Sequence, residues 1–281
     1  MRIQVCGVRG STPAPGAEFV RYGGHTSCVV ISHDGQPPSL IIDAGTGIRR
    51  ASDLLENRPF EGSIVLGHMH WDHTQGLPFF ASGDVPNARV DLYVPAQGDT
   101  EELIARFMSP PHFPISPSDL RGHWRFSALD PGEANIEGFS VLAREIPHKG
   151  GRTFGYRISD GRATFAYLSD HWPTSLGPGP EGLGEYHEAA MELVVDCDLL
   201  FHDAQYTDDE LAAKGHLGHA AVGYCVGLAS RGGARRLLLF HHDPSRTDDE
   251  IDAIVASCQG GSVAVEAAFQ GMAIDLSLEP A

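Results

Sequence analysis

Six consecutive residues, His68-Met69-His70-Trp71-Asp72-His73, carry three imidazoles and a carboxylate directly after the apolar run Ser63-Ile64-Val65-Leu66-Gly67. Where a chain is still extended, side chains two apart share a face, so His68 and His70 point the same way, and a turn then brings Asp72 and His73 round. Four ligands on so short a segment cannot all serve one tetrahedral ion, which draws three or four protein ligands from different directions. The spacing therefore predicts two adjacent metals. A loop that merely happened to be rich in histidine would bury several polar groups without partners, at roughly 1–3 kcal/mol for each.

Further ligand types stand where other apolar runs end: Ile146-Pro147-His148, Tyr167-Leu168-Ser169-Asp170 and Leu239-Phe240-His241-His242-Asp243. Ligands at strand ends are held rigidly and converge on one edge of a sheet. Each has a plainer reading alone: His148 as a turn cap, Asp170 as an N-cap or Asx-turn, His241 as a buried hydrogen-bonded histidine. Together they complete the ligand count that the first cluster leaves short.

The elements that must position these groups follow from apolar patterning. Strands are expected at Arg2 to Val8, Val29 to Ile31, Leu40 to Asp43, Ser63 to Gly67, Val90 to Val94, Phe139 to Ile146, Thr153 to Ile158, Ala163 to Leu168, Leu199 to Phe201 and Arg236 to Phe240. Helices are expected over Ile48 to Leu55, Thr100 to Phe107, Tyr186 to Val195, Ala220 to Ser230 and Asp248 to Ser257. The proline-rich loop Pro110 to Pro117 can continue neither element, and Gly177 to Gly184 reads as a linker. Helices interleaved with strands at both ends predict a layered α/β/β/α sandwich.

With 281 residues, 42% hydrophobic and 20% charged, one catalytic domain over 1–281 is expected, with no internal repeat or low-complexity tract. Asp and Glu outnumber Lys and Arg by 37 to 20, a net charge of -17, which repels a long polyanion and disfavours extended nucleic acid as substrate. A metal pair would offset part of that charge locally. Cys6, Cys28, Cys197, Cys225 and Cys258 are odd in number and scattered, so they read as free thiols in a reducing compartment. No apolar run approaches the roughly 20 residues of a membrane span, and the expected location is the cytoplasm.

Asp43 in Asp-Ala-Gly, the His68 to His73 cluster, His148, Asp170 and His241 occur in the order of the five motifs of the metallo-β-lactamase superfamily, which the chain resembles over nearly its whole length. The resemblance implies an α/β four-layer αββα sandwich holding two divalent ions, Zn²⁺ or Mn²⁺. It implies that His68, His70 and His148 bind one metal, that Asp72, His73 and His241 bind the other, and that Asp170 bridges them. His241 is preferred to His242 because it directly follows the apolar strand, and Asp43 is expected to orient a ligand through its other nitrogen.

His202-Asp203-Ala204-Gln205-Tyr206 and Gly218-His219-Ala220 resemble the motifs that ribonuclease Z and its phosphodiesterase relatives place before the last histidine ligand. The resemblance implies that His219 hydrogen-bonds the phosphate or leaving oxygen and that Asp203 orients it, although Asp stands where ribonuclease Z usually has Glu. The plainer readings are a helix N-terminal histidine and a turn aspartate. Gly7 to Pro13 and Arg21 to Cys28 resemble small phosphodiesterases of this branch. There Arg9 or Arg21 either meets a phosphate or supports the fold.

The chain lacks the long basic, Gly-rich arm with which ribonuclease Z grips transfer RNA, which favours a small phosphodiester. Trp71, Phe113 or Trp172 could stack on a base, though packing is the commoner role. The resulting expectation is a metal-dependent phosphodiesterase of 3',5'-cyclic nucleotides, acting as a homodimer, with Asp72, His219 and Asp203 as catalytic residues. The alternatives are a ribonuclease Z-like tRNA endonuclease, or a lactonase or thioesterase on the same metals. A purely binding module is disfavoured because every expected ligand is present.

Overall fold

The apolar runs are continuous because the strands they form are covered on both faces. The computed structural model describes residues 1–277. Within them, one sheet holds β1 (Arg2–Gly7), β2 (Cys28–Ser32), β3 (Leu40–Ile42), β4 (Glu61–Val65), β5 (Arg89–Pro95) and β6 (His123–Leu129). The other holds β7 (Gly132–Ile136), β8 (Phe139–Glu145), β9 (Phe154–Ser159), β10 (Thr164–Leu168), β11 (Leu199–Asp203), β12 (Arg236–Phe240) and β13 (Ala264–Ala267). The last strand, β14 (Ala273–Asp275), returns to the first sheet, giving the orders β14-β1-β2-β3-β4-β5-β6 and β13-β12-β11-β10-β9-β8-β7. In the first sheet β3 to β6 are parallel, and in the second β10 to β13 are parallel.

Alternation along each strand sorts its side chains between layers. Ile3, Val5, Val29, Ile31, Leu40 and Ile42 meet Phe154, Tyr156, Phe165, Tyr167, Phe201 and Phe240 in the core between the sheets. The intervening Val30, Ile41 and Ile64 pack under helices α1 (Ile48–Leu54) and, through Ile104, the helix at Thr100–Ala105. On the far side Ala166, Leu168, Leu200, Leu237 and Leu239 pack under the helices at Glu188–Val194, Val222–Gly232 and Asp248–Ser257. Three cores thus separate four layers, α/β/β/α, as expected.

The ten expected strands are all present, and the four unforeseen ones, β6, β7, β13 and β14, are the four edges of the two sheets. An edge strand is held by backbone pairing on one side and carries less buried surface, so its sequence lacks an apolar run. His123 to Leu129 and Gly132 to Ile136 are mixed in polarity and partly exposed. The helices differ at their ends. The one at Thr100 stops at Ala105, the one expected from Tyr186 starts at Glu188, and the one expected from Ala220 starts at Val222. Two four-residue helices, α2 (Trp71–Thr74) and one at Leu211–Lys214, are too short to show a period. All five cysteines are free. No helix among the described residues is long and apolar enough to cross a membrane.

Neither N-terminal arginine is available to a phosphate. The Arg9 guanidinium is wholly buried and donates to the carbonyls of Gly23 at 2.8 Å, Arg246 at 2.7 Å and Asp243 at 3.2 Å, with Asp248 at 3.6 Å. Arg21 is paired with Asp249 and Asp252 on the surface. Both arginines fasten the first loop to the start of the helix at Asp248–Ser257. Arg9→Ala leaves three buried carbonyls and a carboxylate without their cation, so a loss of about 3–5 kcal/mol is expected in urea unfolding. An unchanged midpoint would contradict that role.

Candidate metal centre

Asp43 follows β3, His68 follows β4, His148 follows β8, Asp170 follows β10, Asp203 ends β11 and His241 follows β12. All six therefore emerge from C-terminal strand ends, the edge at which α/β sheets commonly bind ligands. Asp43 and His241 sit at positive φ, 61° and 57°, so the backbone makes a left-handed turn where each enters the site. Such values are uncommon outside glycine and concentrate where function fixes the backbone. Gly10 is required beside them, because a Cβ there would lie 2.5 Å from the His241 ring.

Two groups of side chains can each surround an ion: His68, His70 and His148, and Asp72, His73, Asp170 and His241, with ligand atoms in each group within 4.8 Å of one another. Asp170 faces both. Its Oδ1 lies 3.5 Å from His148 Nε2 and 3.9 Å from His68 Nε2, and its Oδ2 lies 2.9 Å from His73 Nε2 and 3.3 Å from His241 Nε2. His242 points elsewhere, its Nε2 donating to the Ala268 carbonyl at 2.9 Å.

Hydrogen-bond polarity shows that these groups suit cations. His73 Nδ1 donates to Asp43 Oδ2 at 2.7 Å, and His148 Nδ1 donates to the Gly218 carbonyl at 2.7 Å. In the neutral ring each Nε2 is then a bare lone pair aimed at carboxylate oxygens. Both nitrogens of His68, Nε2 of His73, Nδ1 of His241 and Oδ2 of Asp170 are buried without a hydrogen-bond partner. Burial pushes His68 well below its ordinary pKa, with His73 adding to the effect, whereas Asp72, Asp43 and Asp170 overcome burial to hold His73 well above its own. Converging lone pairs of this kind are satisfied by divalent ions. Adding Zn²⁺ or Mn²⁺ to chelator-treated protein is accordingly expected to raise Tm by about 5–10 °C, from roughly 3 kcal/mol of binding linkage. An unmoved Tm would count against the centre.

Beside the centre, His219 Nδ1 donates to Asp203 Oδ2 at 3.0 Å. Asp203 also accepts from the backbone N–H groups of Ala220 at 3.3 Å, His171 at 3.1 Å and Gln205 at 3.1 Å, so its carboxylate is fixed. Burial works to lower the His219 pKa, but Asp203, with Asp170 and Asp72 behind it, lifts it to about 9. A cavity of about 490 Å³ opens above, lined by Ser11, His70, Trp71, Asp72, Asp170 and His219 among others. The Ser11 N–H donates to Asp72 Oδ2 at 2.6 Å.

Sequence reasoning missed a second set of histidines behind this pair. His202 Nδ1 donates to the Asp203 carbonyl at 2.8 Å, so its Nε2 must accept from His171 Nδ1 at 3.0 Å. His171 Nε2 then accepts from His187 Nε2 at 2.7 Å, and His187 Nδ1 accepts from the Ala190 N–H at 3.4 Å. Every tautomer is thereby set, and burial depresses all three pKa values, His187 to about 4. The chain ends on a carbonyl, which cannot take a proton, so it braces the Asp170 and Asp203 turns and is no proton conduit. Its only sequence signal is that His171 and His202 adjoin those aspartates. Tyr167, whose hydroxyl donates to Asp43 Oδ2 at 2.7 Å, was equally hidden in an apolar strand.

Comparison with known proteins bears on the family and the fold. The Beta-lactamase superfamily domain matches residues 39–242. Ribonuclease Z of Halobacterium salinarum is 23% identical over 308 aligned residues, covering 92% of each chain. Among solved structures, the metallo-beta-lactamase fold protein YhfI from Bacillus subtilis aligns over 98% of this chain and 99% of its own, with TM-score 0.72 and 18% identity. A diphosphatase from the PhnP family aligns over 98% and 97%, with TM-score 0.71 and 18% identity.

Proposed function

The chain belongs to the beta-lactamase superfamily, and from that premise we propose that it is a metal-dependent phosphodiesterase of small phosphodiesters, 3',5'-cyclic nucleotides first among them. The observation that carries the reading is the Asp203–His219 pair, held at 3.0 Å with His219 on the wall of the cavity that the ligand groups also line. Acyl hydrolysis on the same metals has no need of that pair.

His68, His70 and His148 would hold one ion and Asp72, His73 and His241 the other, with Asp170 between them. Two divalent cations held there, Zn²⁺ or Mn²⁺, would supply positive charge to the phosphate oxygens and lower the pKa of the attacking water. The remaining work falls to side chains. Asp72, its Oδ2 fixed by the Ser11 N–H, takes the proton of the attacking water. Because His219 Nδ1 is committed to Asp203, its Nε2 is the nitrogen left to donate to the phosphate or to the leaving oxygen. In a cyclic nucleotide the leaving group is a sugar oxygen that stays tethered to the phosphorus through the other ester bond, so it remains close to a donor fixed at His219. Free cysteines fit a reducing cytoplasm, and a homodimer is part of the same reading.

The full-length similarity to a protein named ribonuclease Z favours a second reading, a tRNA 3'-processing endonuclease. A net charge of -17 weighs against it, since phosphate-rich partners are repelled. One panel decides. Metal-loaded protein is offered cyclic nucleotides, bis(p-nitrophenyl) phosphate, a precursor tRNA, a lactone and a thioester, with metal analysis of the same preparation. Turnover of the small phosphodiesters is expected. Cleavage of precursor tRNA alone would replace the first reading by the second, and turnover of the lactone or thioester alone would end both.

A further inference from the structure

Trp71, the first residue of α2, is 72% exposed although it stands between two candidate metal ligands. It lines the metal cavity and also a second cavity of about 430 Å³, whose other walls include Phe79, Arg106, Phe107, Met108 and Phe113. Phe79, 55% exposed, and Phe113 meet edge to face with ring centroids 5.7 Å apart. Exposed aromatic surface on this scale beside a reaction centre signals a binding partner. Arg106 makes no ion pair among the described residues, although acidic groups outnumber basic ones in this chain. Trp172, by contrast, lies in a different cavity with Lys149 over its ring at 5.0 Å.

We propose that this second cavity seats the nucleobase of the substrate while its phosphate lies at the metal centre. The proposal rests on the phosphodiesterase reading and extends it. Three observations select the occupant. The two cavities share Trp71 as a wall, so a group carried on a phosphate at the first has the second within reach across one indole ring. The lining is aromatic on several sides, which suits a flat π-system better than an aliphatic chain. The free guanidinium of Arg106 can stack on a ring or reach its polar edge. Trp71 then divides the site into a half that reacts and a half that recognises.

The test is binding, measured apart from turnover. Metal-loaded protein is titrated with a slowly hydrolysed phosphorothioate of a 3',5'-cyclic nucleotide, and with the corresponding cyclic ribose phosphorothioate lacking a base. The intact nucleotide is expected to bind at least about tenfold more tightly, consistent with the loss on removing one base stack. That ratio is expected to fall to near unity in Phe113→Ala and, should that variant fold poorly, in Phe79→Ala. Equal affinities in the wild type, or a ratio untouched by both substitutions, would overturn the proposal. So would a change of oligomeric state in both variants without a change in the ratio, which would make the cavity an interface between copies. Discrimination without any phosphodiester turnover would uphold the cavity's role and reject the phosphodiesterase reading. Turnover without discrimination would do the reverse.

Discussion

Replacing His219 by Ala is expected to lower kcat for a cyclic nucleotide by about 10²–10⁴-fold, the range for removing a positioned proton donor, while bound metal stays at the wild-type level. The second half of that result matters as much as the first. His219 Nδ1 is 3.6 Å from Asp170 Oδ1, and the same ring could be grouped with His148 and Asp170 or with Asp203 and His241 around an ion. Its Nδ1 is already engaged by Asp203, which argues for a donor and against a ligand. Metal analysis of the variant decides between the two, because a donor can be removed without losing an ion and a ligand cannot. Asp203→Asn provides the companion measurement. It keeps the shape of the support but removes its charge, so a smaller loss in kcat with metal retained is expected. Metal loss in His219→Ala would show that the ring is a ligand and that the proton comes from elsewhere.

Asp43→Asn is expected to weaken metal binding by about 10–100-fold, the usual consequence of removing the carboxylate behind a ligating histidine. It should also lower the stability of the chelated protein by about 2–4 kcal/mol. Asp43 is wholly buried and accepts from three donors: the Gly67 N–H on Oδ1 at 2.8 Å, and His73 Nδ1 and the Tyr167 hydroxyl on Oδ2, each at 2.7 Å. An amide has only one oxygen, so at least one of these donors faces an N–H instead of an acceptor. Asn does tolerate the positive φ of this position, whereas Ala does not, so Asp43→Ala should be less stable again by about 1–2 kcal/mol. Urea unfolding in chelator and metal titration of the refolded protein measure the two effects separately. Wild-type metal affinity in Asp43→Asn would mean that His73 needs no such support.

The inner strands were legible in the sequence for a definite reason. A strand covered on both faces must be apolar at every position, and Val29 to Ile31 or Leu237 to Leu239 satisfy that requirement without reference to any other part of the chain. The edge strands were not legible, because Ala264–Ala267 and Gly132–Ile136 become strands only when a neighbour offers its backbone. Helix ends were misplaced for a related reason. His187 caps the helix at Glu188 while its other nitrogen is fixed to His171, a contact between distant residues.

What the sequence by itself determined is the set of side chains on offer: His68 to His73 as a concentration of candidate ligands, His148, Asp170 and His241 at the ends of apolar runs, and Asp203 and His219 as a second candidate pair. Side-chain chemistry and strand ends are local properties, fixed by a short stretch of chain whatever the rest of it does. Only the tertiary structure distinguishes His241 from His242, because adjacent residues after a strand point apart: His241 faces Asp170, whereas His242 is spent on the Ala268 carbonyl. It removed Arg9 and Arg21 from consideration as phosphate ligands by burying one and pairing the other. It also separated Trp71 and Phe113 from Trp172 and placed the first two in one cavity. Those outcomes depend on distances between residues far apart in the chain, which no local pattern encodes.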